Sequence, residues 1–261
     1  DLLLFGDLPS GAGLSSSASL EVLIGFIMRD LYGFDVTNVD LALIGQQAEH
    51  EFCGVNCGIM DQFAVAMGKK DHALLLNTKT LDYEYIPITL CGVKLIIANS
   101  NKKHKLGESK YNERREECET ALEEISQAIG IHALCDLDEK TWNLYQVTVK
   151  DDDRKRRVKH AVTENARTKQ AAAALKNGEL KTFGELMKAS HQSLSEDYEV
   201  TGDEMDALAE AAWQQDGVLG SRMTGGGFGG STISLVEENF VDEFIPVSYT
   251  HLRAHETVLD L

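Results

Sequence analysis

Residues 11–19 read GAGLSSSAS and run straight into the apolar stretch LEVLIGFIM. Two glycines and three consecutive serines ahead of helical periodicity fix a coil-to-helix junction at one point in the chain. Gly11 and Gly13 put no Cβ between the backbone and whatever approaches it. The serines stand where the first N–H groups of a helix lack intrahelical partners and where the dipole places roughly half a positive charge. One serine suffices for a helix cap, and three after a glycine loop exceed that need. The junction reads as an anion site of the kind that holds phosphate, with simple capping as the alternative. No Gly-Lys-Ser/Thr follows the glycines, so this is not a Walker loop. Phosphate charge would then be met by amides, hydroxyls and a divalent cation held by a serine hydroxyl and one carboxylate.

Leu20, Leu23, Ile24, Ile27 and Leu31 recur at helical spacing, which predicts a first helix from Ala18 to Tyr32 stopped by Gly33. Thr37 or Asn38 caps a second helix to about Phe52, with Leu41, Ile44, Ala48 and Phe52 on one face. CGVNCG is a turn, and a short helix follows over Ile59–Met67. HALLLNT, LDYEYIPI and VKLIIA read as strands, the last apolar enough to be buried. Helical patterns then cover Ser109–Ile129, Val158–Lys176, Leu180–Ser190 and Gly202–Gln215, with a final strand at STISLV. Strands early and helices late predict an α+β architecture of two lobes rather than alternating βαβ units.

The formal charge of −17 on 261 residues repels nucleic acid and anionic lipid, so neither is an expected partner. The one basic run, Arg154–Arg157, follows three aspartates and reads as a solvated helix entry. Five scattered cysteines suit a reducing, cytoplasmic setting better than a disulfide framework and do not complete a zinc site. No apolar run approaches the roughly 20 residues of a membrane span. MTGGGFGG satisfies G-x-G-x-x-G formally, but the dinucleotide fingerprint needs a strand before it and a helix after it. Here a helix and a short GVLGSR segment precede it and STISLV follows, so the reading fails. Five glycines in six residues still demand close backbone approach, either to a ligand or to the other lobe.

Candidate carboxylates lie in AEHEFCGVNCGIMDQF. Glu49 ends the second helix and Asp61 starts the next, with a glycine turn between them that can fold both into one cleft. Asp61, flanked by Met60 and Phe63, is expected to be partly desolvated. The plain alternatives are a solvated Glu49 and an N-capping Asp61. Tyr111, at the start of the helix in SKYNERREEC, is either core or presents its hydroxyl to a polar ligand.

In this order, LPSGAGLSSSASLEV, CGIMDQF, SKYNERREECE and GVLGSRMTGGGFGG resemble the motifs of the galactokinases of the GHMP kinase superfamily. The resemblance runs from about Leu4 to Val236 and implies the two-lobed GHMP kinase fold with the active site between the lobes. It implies that Gly11, Ala12, Gly13, Leu14, Ser15, Ser16 and Ser17 hold the phosphates of ATP and that Ser17 and Glu49 bind Mg²⁺. Asp61 would act on the attacking sugar hydroxyl, and Gly58 and Tyr111 would contact galactose. The implied reaction moves the γ-phosphoryl of ATP to the C1 hydroxyl of α-D-galactose. A kinase for a related sugar such as N-acetylgalactosamine, or a galactokinase-like sugar sensor, would share these motifs. The family's opening signature, which supplies an arginine and a sugar-gripping cluster, has no counterpart here. The expectation is therefore a monomeric chain missing the N-terminus of a longer protein and turning over little or no sugar. Its segments would be a partial N-terminal domain (1–92), a C-terminal domain (93–247) and an atypical tail (248–261) suggestive of a scar.

Overall fold

The computed structural model describes residues 2–102 and 107–247, with the backbone alone for 107–109. The tail at 248–261, expected to be a scar, lies outside the described residues. Three helices open the fold: α1 (Ser16–Tyr32), α2 (Asn38–Ala48), which continues into a π turn over Glu49–Cys53, and α3 (Met60–Met67). Thr37 caps α2 through a reciprocal pair with Asp40, and Gly33, left-handed at φ 68°, closes α1 by donating to the Arg29 carbonyl. Both ends are where the residue chemistry puts them.

The hairpin of β1 (His72–Leu76) and β2 (Tyr83–Pro87) is sandwiched. Leu74 and Leu76 pack with Ala42, Ile59 and Phe63 of the first helices, while Ala73 and Leu75 pack with Ala172 and Leu175 of α6 (Asp152–Lys176). Alternate side chains on opposite faces, both covered, explain why HALLL is apolar without a break. The second sheet is antiparallel in the order β3 (Val93–Asn99), β5 (Ser231–Glu237), β4 (Val218–Thr224). One face packs on α7 (Leu180–Ser193) through Val93, Leu235 and Met187. The other packs on α8 (Asp203–Trp213) and on residues 241–247 through Ala212, Val236 and Phe244. A third core joins α4 (Gly107–Ser126), α5 (Glu139–Tyr145) and α6 around Ile125, Trp142 and Val158.

Five expectations change. Ile44 and Phe52, expected on the packed face of the second helix, are exposed, because α2 ends at Ala48 and the π turn after it swings Phe52 outward. GVLGSR, read as a short segment, lies in strand β4 from Val218 on, paired with β5. The leucine stripe of α1 faces outward: Leu20, Leu23 and Leu31 are exposed, and Ala18 and Val22 are the buried pair. Small residues win that face because α1 sits close to α2, where a Cβ on Gly25 would stand 3.0 Å from Leu41 Cδ2. VKLIIA is an edge strand, and Leu95 and Ile97 are 42% and 48% exposed. Arg157 is not solvated. It is 1% exposed, and it donates to Glu117 at 2.7 Å, to Glu199 at 2.6 Å and to the Asp197 carbonyl at 2.7 Å.

Candidate active site

The glycine–serine junction makes a turn that few side chains tolerate. Gly11 and Gly13 take φ of 74° and 68°, and Ser15, the residue before α1, is itself left-handed at φ 57°. Ser15 makes no side-chain cap, and the first turn of α1 contains no acid. The first N–H groups of α1 thus receive no cap from the Ser15 side chain. Ala12 is buried, Ser17 is exposed, and Gly13, Leu14, Ser15 and Ser16 are half-buried between them.

The unused Ser15 hydroxyl faces Asp61 on α3. Burial pushes the Asp61 carboxyl up from its ordinary range, Ser15 partly offsets the rise, and the Glu49 charge adds to it. Asp61 is the second residue of α3, not its cap, which is Ile59. Glu49 sits where α2 widens into the π turn, a distortion frequent at functional sites. The sequence reading missed a third acid, Glu21, one turn beyond Ser17 on α1. Burial, with the neighbouring Glu49 and Asp61 charges, lifts Glu21 to about 7 against a hydrogen bond from Gln62 Nε2 at 3.1 Å. In the sequence Glu21 looks like any polar helix position; its one-turn spacing from Ser17 is the only signal that could have found it. Among the described residues none of these three acids has an ion-pair partner, and no group of three His, Cys, Asp or Glu is arranged to hold a metal.

Opposite this cluster, the Gly58 N–H donates to the Tyr111 hydroxyl oxygen at 3.4 Å. The 54–58 turn is tied to α4 by Asn112, which accepts from the Asn56 N–H and donates to the Gly54 carbonyl, and by Arg115, which donates to the Asn56 carbonyl. Tyr111 thus stands beside Gly58, on the same turn that leads to Asp61. Ser17, exposed one turn before Glu21 on α1, makes no hydrogen bond through its hydroxyl among the described residues.

The second glycine cluster connects β4 to β5 and folds onto the first. A Cβ on Gly225 would lie 3.0 Å from the Gly13 carbonyl oxygen, and one on Gly230 3.3 Å from the Ala12 oxygen. Ser231 Oγ donates to that same Ala12 carbonyl at 2.7 Å. The close approach is to the phosphate-type loop itself, and on the far side to Tyr111, 3.6 Å from a Cβ on Gly226. All four motifs meet at one place.

Residues 1–69 match the GHMP kinases N terminal domain and residues 171–245 the GHMP kinases C terminal domain. The chain belongs to the GHMP kinases. Within that family its relatives are galactokinases: it is 52% identical over 244 residues to that of Streptococcus suis and 51% identical over 245 to that of Clostridium acetobutylicum. Each alignment takes in 94% of this chain, which spans 63% of the length of these relatives. The fold superposes with a TM-score of 0.93 on Lactococcus lactis galactokinase complexed with galactose, 43% identical, over 98% of this chain and 65% of that one. Leishmania major mevalonate kinase, 18% identical with a TM-score of 0.56, shares the fold alone. No helix among the described residues is long and apolar enough to cross a membrane.

Proposed function

We propose that the protein transfers the γ-phosphoryl of ATP to the C1 hydroxyl of α-D-galactose. The observation that carries this reading is the meeting of Ser15 and Asp61, which sets a half-buried carboxylate against a helix start with unused N–H groups. Phosphoryl transfer needs positioning and neutralisation of charge more than covalent chemistry by the protein. Residues 11–17 would present amides and hydroxyls to the nucleotide phosphates. Asp61 would accept the proton of the attacking hydroxyl, or orient that hydroxyl, as the new O–P bond forms and ADP leaves. Gly58 and Tyr111 would hold the sugar so that this oxygen points at the phosphate.

Burial and the Glu49 charge raise both Glu21 and Asp61, an acidic environment that a bound cation would relieve. Glu49 and Ser17 would hold Mg²⁺, which when bound neutralises phosphate charge. We further place the lobes at 1–92 and 93–247, so that motifs from both line one cleft.

The test uses the purified protein extended to the length of the relatives it matches, because this chain alone is expected to turn over little or no sugar. It is incubated with MgATP and α-D-galactose, with galactose 1-phosphate and ADP measured together. Stoichiometric formation of both, abolished in Asp61→Ala, supports the reading. Binding of both ligands by calorimetry without product overturns it in favour of a sensor.

A further inference from the structure

β4 is an outer strand, and an outer strand leaves N–H and C=O groups that something must satisfy. Here two helices do so with side chains. Trp213 Nε1 of α8 donates to the Ser221 carbonyl at 2.9 Å, and the Met223 N–H donates to His191 Nδ1 of α7 at 3.0 Å. Nearer the start of β4, α7 touches the strand backbone to backbone: a Cβ on Gly184 would lie 2.2 Å from the Leu219 oxygen.

His191 is 2% exposed, with the Trp213 ring edge-on at 5.6 Å. Because Nδ1 accepts an N–H, the ring proton belongs on Nε2, which stands 3.1 Å from Asp206 Oδ1. Both atoms are buried and neither makes a hydrogen bond, so the 3.1 Å approach is a close polar contact that orients the ring electrostatically. Asp206 Oδ2 accepts from Ser195 Oγ at 2.9 Å. Burial pushes Asp206 up, but His191, Thr201 and Ser195 outweigh it and hold the carboxyl below its usual range. One tautomer of a neutral imidazole is thereby fixed, with its acceptor nitrogen aimed at β4.

Met223 is followed by Thr224, whose carbonyl oxygen would be 3.1 Å from a Cβ on Gly13, and then by Gly225, which lies against Gly13. We infer that His191, oriented by Asp206, is a positioning residue for nucleotide binding: it anchors the end of β4 from which the glycine hairpin folds onto the phosphate-type loop. The inference rests on the kinase reading of that loop. A histidine that only filled the core would be replaceable by any ring of similar volume. A positioning histidine needs the acceptor toward Met223.

The test compares His191→Phe, which keeps ring volume, with His191→Asn, whose Oδ1 can take the place of Nδ1, and Asp206→Asn, the milder change. Two quantities are read: KM for ATP against KM for galactose, and amide hydrogen exchange of residues 223–231 and 11–17. His191→Phe is expected to raise the ATP KM about tenfold, equivalent to about 1.4 kcal/mol, with galactose KM within twofold and exchange faster in both segments. His191→Asn should recover most of the loss. Should His191→Phe fail to fold, Asp206→Asn, with an expected threefold rise in ATP KM, carries the same test. Unchanged exchange and ATP KM overturn the inference, as does a parallel rise of both KM values that His191→Asn does not rescue. If the protein extended to its relatives' length phosphorylates no sugar, the proposed function falls, while exchange in 11–17 still decides the role of His191.

Discussion

Replacing Gly225, Gly226 and Gly227 by alanine, one at a time, tests whether the glycine hairpin is shaped by the loop it covers. At Gly226 the backbone is not left-handed, and an added Cβ meets the Tyr111 ring at 3.6 Å, an ordinary contact. Gly226→Ala should therefore be neutral or gain up to about 1 kcal/mol through the unfolded chain. Gly225 has φ +84°, which costs an L-residue about 1–2 kcal/mol. Its Cβ would also stand 3.0 Å from the Gly13 oxygen and 3.1 Å from Gly13 Cα, so Gly13 must yield. Gly225→Ala should lose about 2 kcal/mol and raise the ATP KM. Gly227, at φ +87°, would put its Cβ 2.2 Å from the Val200 oxygen, which accepts the Phe228 N–H at 2.6 Å. Strain and a broken buried hydrogen bond together make its loss about 3 kcal/mol or more. Urea unfolding at matched m-values, with ATP KM alongside, reads the series. Equal losses at all three positions, or the largest at Gly226, would refute the geometry.

Asp61→Asn is expected to lower kcat by about 10²–10⁴ while leaving nucleotide affinity measurable by calorimetry. Because the Asp61 carboxyl is raised, kcat/KM should fall, as pH drops, at a pH above the ordinary aspartate range. Ser15→Ala removes the group that opposes the rise, so in pH–rate profiles the acid limb should move to still higher pH. Arg157→Ala opens a buried gap and leaves the Asp197 carbonyl without its donor, while Glu117 keeps Arg114 and Glu199 keeps Arg156, and should cost about 2–3 kcal/mol in urea unfolding. Tyr111→Phe removes the acceptor for the Gly58 N–H and should raise galactose KM by about 0.5–1.5 kcal/mol equivalent, with ATP KM unmoved.

What was legible in the sequence is what local chemistry dictates. The Thr37 cap, the Gly33 stop, the strands before and after the long helices and the coil-to-helix turn at Ser15 all follow from nearest neighbours. So does the failure of MTGGGFGG as a dinucleotide motif, since the strand after it is visible in STISLV. Burial was less legible, because periodicity names a face without saying what lies against it. Leu20, Leu23 and Leu31 form the better apolar stripe, yet the close approach of α1 to α2 selects Ala18, Val22 and Gly25. Arg157 looked like one of four solvated cations, and only the fold shows three acceptors converging on it. The partner of the second glycine cluster could not be read at all, since nothing in either cluster refers to the other.

The bond from Ser231 to the Ala12 carbonyl joins residues 219 apart. Closing so long a loop is entropically costly, and contacts of that separation form late in folding. The loop that would grip a nucleotide is thus completed only when the two ends of the described chain have found each other. Nucleotide affinity should appear as one of the last events of refolding and vanish among the first when either end frays, making it a sensitive clock for how far assembly has gone.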